Sequence, residues 1–280
     1  MANSRRTARP RLTSGFVFKS VFGEDPEKCR RLLELALGTR IARVEVLQPE
    51  RELDVHPGYR AGRVDVLAED AEGNRYDAEM QAQPRGDEVL RARHYQSLMD
   101  ALRLRKGEEV SELRRSVVVF VCDFDPVGAG LRRYDCVTTC LQTGEPVGDG
   151  RRLVMLNARG SGDEVDPSLG AFLRAVAGED VVGDPFVDGI NAMIDAYVSD
   201  PEWMERYMTF EDELEAARAD AEALGLARGL EQGMKQGLEQ GAMRAYARMV
   251  TDGILDAERA AAYAGVAVAD IEREVDALRG

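Results

Sequence analysis

The stretch Arg75-Tyr76-Asp77-Ala78-Glu79-Met80-Gln81-Ala82-Gln83 decides the fold. Its odd positions are polar or charged, and its even positions are Tyr76, Ala78, Met80 and Ala82. That period predicts a half-buried β-strand. The run before it, Arg63-Val64-Asp65-Val66-Leu67-Ala68, is rich in β-branched residues and predicts a second strand. Asp70-Ala71-Glu72-Gly73-Asn74 between them is turn chemistry. A hairpin centred near residue 72 pairs positions whose numbers sum to about 144 in simple antiparallel register, so Asp65 faces Glu79. Opposed carboxylates repel across a ladder, and a cation between them relieves the repulsion. Hard oxygen ligands on neighbouring strands suit Mg²⁺. The solvated polar face of an antiparallel sheet produces the same spacing, and on spacing alone both readings stay open.

The chain has 280 residues, room for one large domain or a medium one with appendages, and 44% hydrophobic residues allow a sizeable core. Cys29, Cys122, Cys136 and Cys140 are too few for a disulfide scaffold. With only His56 and His94 beside them, they do not form a structural zinc set. Reduced, mostly buried thiols are expected. Met1 to Leu12 is basic and polar with no apolar core behind it, unlike a signal peptide. No apolar stretch approaches a membrane span, so a soluble, cytoplasmic protein without membrane partners is expected. The net charge of −14 opposes long-range attraction to nucleic acid. The charge is uneven: residues 200–280 hold 18 acidic against 9 basic side chains, a net of −9, which leaves −5 for the first 199. Arg5, Arg6, Arg9 and Arg11, and then Arg91, Arg93, Arg103, Arg105, Lys106, Arg114 and Arg115, make locally basic stretches.

Residues 1–13 are expected to be a disordered basic terminus and 14–160 a core. Residues 161–215 then form a helical extension, 216–245 a glycine-periodic helical linker, and 246–280 a small two-helix module. Phe16 to Gly23 predicts a short helix; Asp25 as N-cap, Pro26 at the first position and Gly38 at the end bound the next one. Ile41 to Leu47 predicts a strand, Gln48 to Gly62 a loop, and Asp87 to Leu104 a helix with Leu90, His94, Leu98 and Leu102 on one stripe. Val117 to Cys122 is a continuous apolar run, predicting a strand buried on both faces. Tyr134 to Leu141 and Leu153 to Asn157 predict two more. The order argues an α/β fold with a mixed central sheet and a helix packed across it. Gly225, Gly229, Gly233, Gly237 and Gly241 recur every four residues. Each costs roughly 1 kcal/mol against alanine inside a helix. Close approach of a second helix and a partly helical linker both account for them. A coiling pair would wrap right-handed. The two helices flanking Gly265 resemble a helix-turn-helix, but the second carries Asp270, Glu272, Glu274 and Asp276. Protein packing suits it better than DNA reading.

Phe16-Val17-Phe18-Lys19-Ser20-Val21-Phe22-Gly23, Val64-Asp65-Val66-Leu67-Ala68, Tyr76-Asp77-Ala78-Glu79-Met80-Gln81 and Arg91-Ala92-Arg93-His94-Tyr95-Gln96-Ser97 together resemble the PD-(D/E)XK nuclease-like transposase family, which includes the recombination-promoting nucleases. The resemblance extends over nearly the whole chain, tail included. It implies a restriction-endonuclease-like mixed sheet flanked by helices, DNA as partner and Mg²⁺ (or Mn²⁺) as cofactor. Carried over, Asp65 and Glu79 are metal ligands and the Met80 carbonyl completes the inner shell. Gln81 stands where many relatives in the wider superfamily carry lysine; it has no charge but orients a water through its amide. Arg91 contacts the phosphate as a bidentate donor, with a salt bridge to Asp87 or Glu88 as its structural alternative. Tyr95 hydrogen-bonds phosphate or carboxylates, with packing against the sheet as the alternative. Two positions depart from the family: Gly15 replaces a frequent acid, and His94-Tyr95 replaces a frequent tyrosine pair. His94, on the apolar stripe, is taken as a helix-face residue.

Metal-dependent hydrolysis of DNA phosphodiesters is the leading expectation. The rival is an assembly or binding protein with a weak or inactive nuclease-like core, self-associating through the glycine stripe. Strand transfer in transposition is a third; the sequence does not separate it from hydrolysis.

Overall fold

The computed structural model describes residues 9–49, 52–53, 62–162 and 164–279. Of the expected disordered terminus, residues 1–8 lie outside the described residues. Residues 9–13 are placed: Leu12 is buried, and Arg9 pairs with Asp195 at 2.9 Å.

Helix α1 (Gly15–Glu24) buries Val17, Phe18, Val21 and Phe22 together. Helix α2 (Pro26–Leu37) starts where expected: the Asp25 carboxylate accepts the N–H groups of Glu27 and Lys28, and Pro26 occupies the first turn. It stops at Gly38, whose φ of 67° is a left-handed cap glycine adopts without strain.

The main sheet has six strands: β1 (Val44–Pro49), β4 (Val66–Asp70), β5 (Arg75–Gln81), β6 (Ser116–Cys122), β7 (Arg133–Cys136) and β8 (Arg151–Asn157), in the order β1-β4-β5-β6-β8-β7. β5, β6 and β8 run parallel; β1, β4 and β7 pair antiparallel to their neighbours. This is the mixed α/β sheet expected. The hairpin register is also as expected: Val66 pairs with Ala78, Leu67 with Asp77 and Ala68 with Tyr76. In its turn, Asp70 accepts the N–H groups of Glu72 and Asn74, and Gly73 takes a φ of 79°. Two expectations are corrected. The loop Gln48 to Gly62 contains β2 (Glu52–Leu53), paired with β3 (Gly62–Arg63), while 54–61 lie outside the described residues. The strand expected from Arg63 breaks at Val64 and Asp65 before β4 begins.

Even-numbered residues of β5, with Val117, Val119 and Val121 of β6, join a core with α1, α2, α4 (Pro167–Val176) and α5 (Pro185–Val198). The other face is covered by α3 (Glu88–Ala101), the crossover between parallel β5 and β6. β5 is therefore not half-buried: Asp77, Glu79 and Gln81 are 0%, 3% and 6% exposed. A period of two shows which residues share a face, but not whether a helix covers the polar one. The stripe of α3 is corrected as well. Ala92, Tyr95, Leu98 and Met99 are buried, whereas Leu90 is 58% exposed. Buried Gln96 fits because its amide donates to the carbonyls of Ser116 and Arg152. Cys29 and Cys122 are buried and their thiols are pushed up to about 12 by burial, but Cys136 is exposed and Cys140 partly so; all four are free.

The chain divides into two compact units, residues 1–208 and 209–280. In the first, Trp203, from the start of α6 (Pro201–Thr251), stacks between Tyr197 and Tyr207 and donates its indole N–H to Ser20 Oγ at 3.1 Å. In the second, α7 (Ala257–Ala264), capped by Asp256 and Gly265, packs with α8 (Val268–Arg279) around Ala260, Ala261, Ile271 and Val275. All five periodic glycines lie within α6 as continuous helix. No helix of the described residues is long and apolar enough to cross a membrane.

Candidate active site

Where β4 ends and the chain bends away, Asp65 takes over from the ladder. Its N–H donates to Glu79 Oε1 at 2.9 Å, and its Oδ2 accepts the Met80 N–H at 3.1 Å. These two bonds fix the carboxylates of Asp65 and Glu79 beside each other. Gln81, two residues on and on the same face, donates its amide to Glu79 Oε2 at 3.3 Å. Met80 enters through its main-chain N–H; its side chain points into the opposite core.

From α3, Arg91 closes the site. Its Nη2 donates to Gln81 Oε1 at 2.7 Å, its Nε to Asp87 Oδ1 at 3.0 Å, and its Nη1 lies 3.9 Å from Glu79 Oε2. The guanidinium also sits 5.1 Å from the Phe120 ring centroid. The salt bridge to Asp87 and the contact with the carboxylate face thus coexist. Tyr95, one helical turn on, is buried among Leu67, Leu98 and Met99. Burial, reinforced by the Glu79 charge, pushes its hydroxyl up to about 12, so it is a neutral donor. His94 is half-buried, and its Nε2 is buried without a hydrogen-bond partner.

Two residues not singled out from the sequence belong here. Asp77 is fully buried, and neither carboxylate oxygen has a hydrogen-bond donor. Burial, then the charges of Glu79 and Asp65, push its carboxyl well above the ordinary range. The same two causes, burial and Asp65, raise Glu79, against the opposing pull of Arg91 and Lys19. Lys19 of α1 brings its ammonium to 3.3 Å from Asp65 Oδ1. Asp77 stood at an odd position of the deciding strand, where alternation signals only a shared face. No spacing in the sequence ties Lys19 to Asp65; only the packing of α1 against β4 and β5 does.

The residues fit a divalent cation in donor chemistry: two adjoining hard carboxylates, and behind them a buried acid with unsatisfied oxygens. Among the described residues, no three His, Cys, Asp or Glu side chains converge as a ready metal cage. A cation here would draw on the Asp65–Glu79 pair and complete its shell with main-chain oxygen and water, as Mg²⁺ commonly does.

A mixed sheet whose central hairpin carries paired acids, with a helix laid across the parallel crossover, defines the restriction-endonuclease-like class of α/β fold. Within it, residues 12–134 match the family model of the PD-(D/E)XK nuclease family transposase, and this segment of the chain belongs to that family. The match includes α1, the acidic hairpin and α3, and stops short of β8 and the helical tail, so the wider resemblance read from the sequence is narrowed to this segment. No curated protein and no solved structure matches the chain.

Proposed function

We propose that the chain is a metal-dependent DNA endonuclease that hydrolyses phosphodiesters. The carrying observation is the juxtaposition of Asp65 and Glu79 by reciprocal main-chain bonds, within a segment of nuclease–transposase family. Asp65 and Glu79 would hold Mg²⁺ or Mn²⁺, with the Met80 carbonyl as a further oxygen. The ion would supply Lewis acidity and a more acidic bound water. Gln81 orients the attacking water through its amide. Arg91, preset by Gln81 and Asp87, presents its guanidinium to the phosphate. Tyr95 holds a proton at its hydroxyl and donates to phosphate or carboxylate. Residues 14–160 form the working nuclease core of a soluble, cytoplasmic protein.

The test is nicking of supercoiled plasmid in Mg²⁺ by the wild type, Asp65→Ala and Glu79→Ala. Removing either ligand should lower the rate at least about a hundredfold, the scale at which loss of one transition-state stabilising group is felt. Wild-type levels of nicking in both variants would sink the assignment.

A second reading has its own observation. Leu226, Leu230, Met234 and Leu238 are 76%, 65%, 62% and 73% exposed, in register with the glycines of α6. Such a stripe favours self-association of the tail, making the protein a homo-oligomer whether its core cleaves or serves as a scaffold. No nicking by any form, with strong oligomerisation in solution, would favour the scaffold.

A further inference from the structure

The acidic centre already holds an ammonium. Asp65 Oδ2 is taken by the Met80 N–H, while Oδ1 faces Lys19 Nζ at 3.3 Å; both side chains are largely buried, at 14% and 17% exposed. Lys19 stands on a fixed base. Phe18 before it is fully buried, and Ser20 after it is clamped by the Trp203 indole. Its four-carbon stem is the flexible part. Arg91, by contrast, is tied on two sides by Asp87 and Gln81. The three acids Asp65, Asp77 and Glu79 therefore have one rigid and one movable cationic neighbour. A divalent ion on Asp65 and Glu79 would compete with the movable one for Asp65 Oδ1.

We propose that Lys19 is the built-in counter-cation of the site: it occupies Asp65 while no divalent ion is bound, yields Asp65 Oδ1 when one binds, and then contacts the phosphate of the DNA substrate. This rests on the metal-dependent reading above. It makes Lys19 a substrate-binding residue supplying the mobile charge that Gln81 lacks.

Two measurements on the full chain test it. The first is Mn²⁺ titration by calorimetry of the wild type, Lys19→Met and Lys19→Arg, with binding of a duplex measured in Ca²⁺. Lys19→Met should bind Mn²⁺ about twofold to tenfold more tightly, the range over which a partly buried competing ion pair is felt, and bind the duplex more weakly. Lys19→Arg should keep duplex affinity near wild type. Unchanged or weaker Mn²⁺ affinity in Lys19→Met overturns the proposal. The second needs no variant: reductive methylation of the wild type, mapped by mass spectrometry, with Lys28, paired to Asp25, as reference. Mg²⁺ should increase labelling of Lys19 relative to Lys28; equal labelling overturns the proposal. A wild type that binds no divalent ion sinks the metal-dependent reading with it, whereas a wild type that binds, with Lys19 indifferent, sinks this inference alone.

Discussion

Three carboxyl groups on one buried face, countered by Arg91 and Lys19, are the main electrostatic feature of the core. Burial and the Asp65 charge raise the Glu79 pKa in the fold, from an ordinary carboxylate value to about 8. Asp77 is raised too, by burial and by the charges of Glu79 and Asp65. The unfolded chain ionises these groups at lower pH than the folded one. Between the two values the native state binds more protons, so stability falls as pH rises. Without divalent ions, the melting temperature should decline from about pH 5 towards about pH 8 or above. Saturating Mg²⁺, which favours the ionised acids, should flatten or reverse that slope. Thermal unfolding across pH, with and without Mg²⁺, checks this; a rising cation-free melting temperature over that window would contradict the raised acids.

Local signals placed the elements well. The cap of α2 was legible because Asp25, Pro26 and Gly38 act through their own backbone neighbours. Asp25→Ala should cost about 1 kcal/mol of stability, the usual value of an N-cap side chain. Denaturant unfolding of the variant measures it, and an unchanged midpoint would show that the Asp25 bonds contribute nothing net. The hairpin register was legible for the same reason, since a short turn joins its strands. Other readings failed where a remote element intervened. The alternation in β5 suggested a wet face, but α3 covers it. The stripe through Leu90 was chosen from apolar spacing, whereas buried Gln96 satisfies its amide on Ser116 and Arg152, far along the chain.

At the level of the whole molecule, the glycine-periodic helix is the part least explained by its own unit. A Cβ added at Gly225, Gly229, Gly233, Gly237 or Gly241 would meet nothing within 4 Å beyond the helix itself. Gly229→Ala with Gly233→Ala should therefore raise helix stability by roughly 0.5–1 kcal/mol per site. If a second copy approaches through the glycines, the same change should weaken association. Circular-dichroism melts combined with sedimentation of the wild type and the double variant read both effects. Undiminished association in the variant would remove the glycines from the interface.

Residue order alone carried the strand pattern, the caps, the turn and the facing of Asp65 and Glu79, because each depends on neighbours within one turn or hairpin. The packing of α1 and α3 onto opposite faces of β5 decided that Asp77 is buried without a donor, that Arg91 rests on Gln81, and that Lys19 lies against Asp65. These contacts join groups distant along the chain, and they exist only because burying the apolar faces of the helices brings their few polar side chains to the same edge of the hairpin.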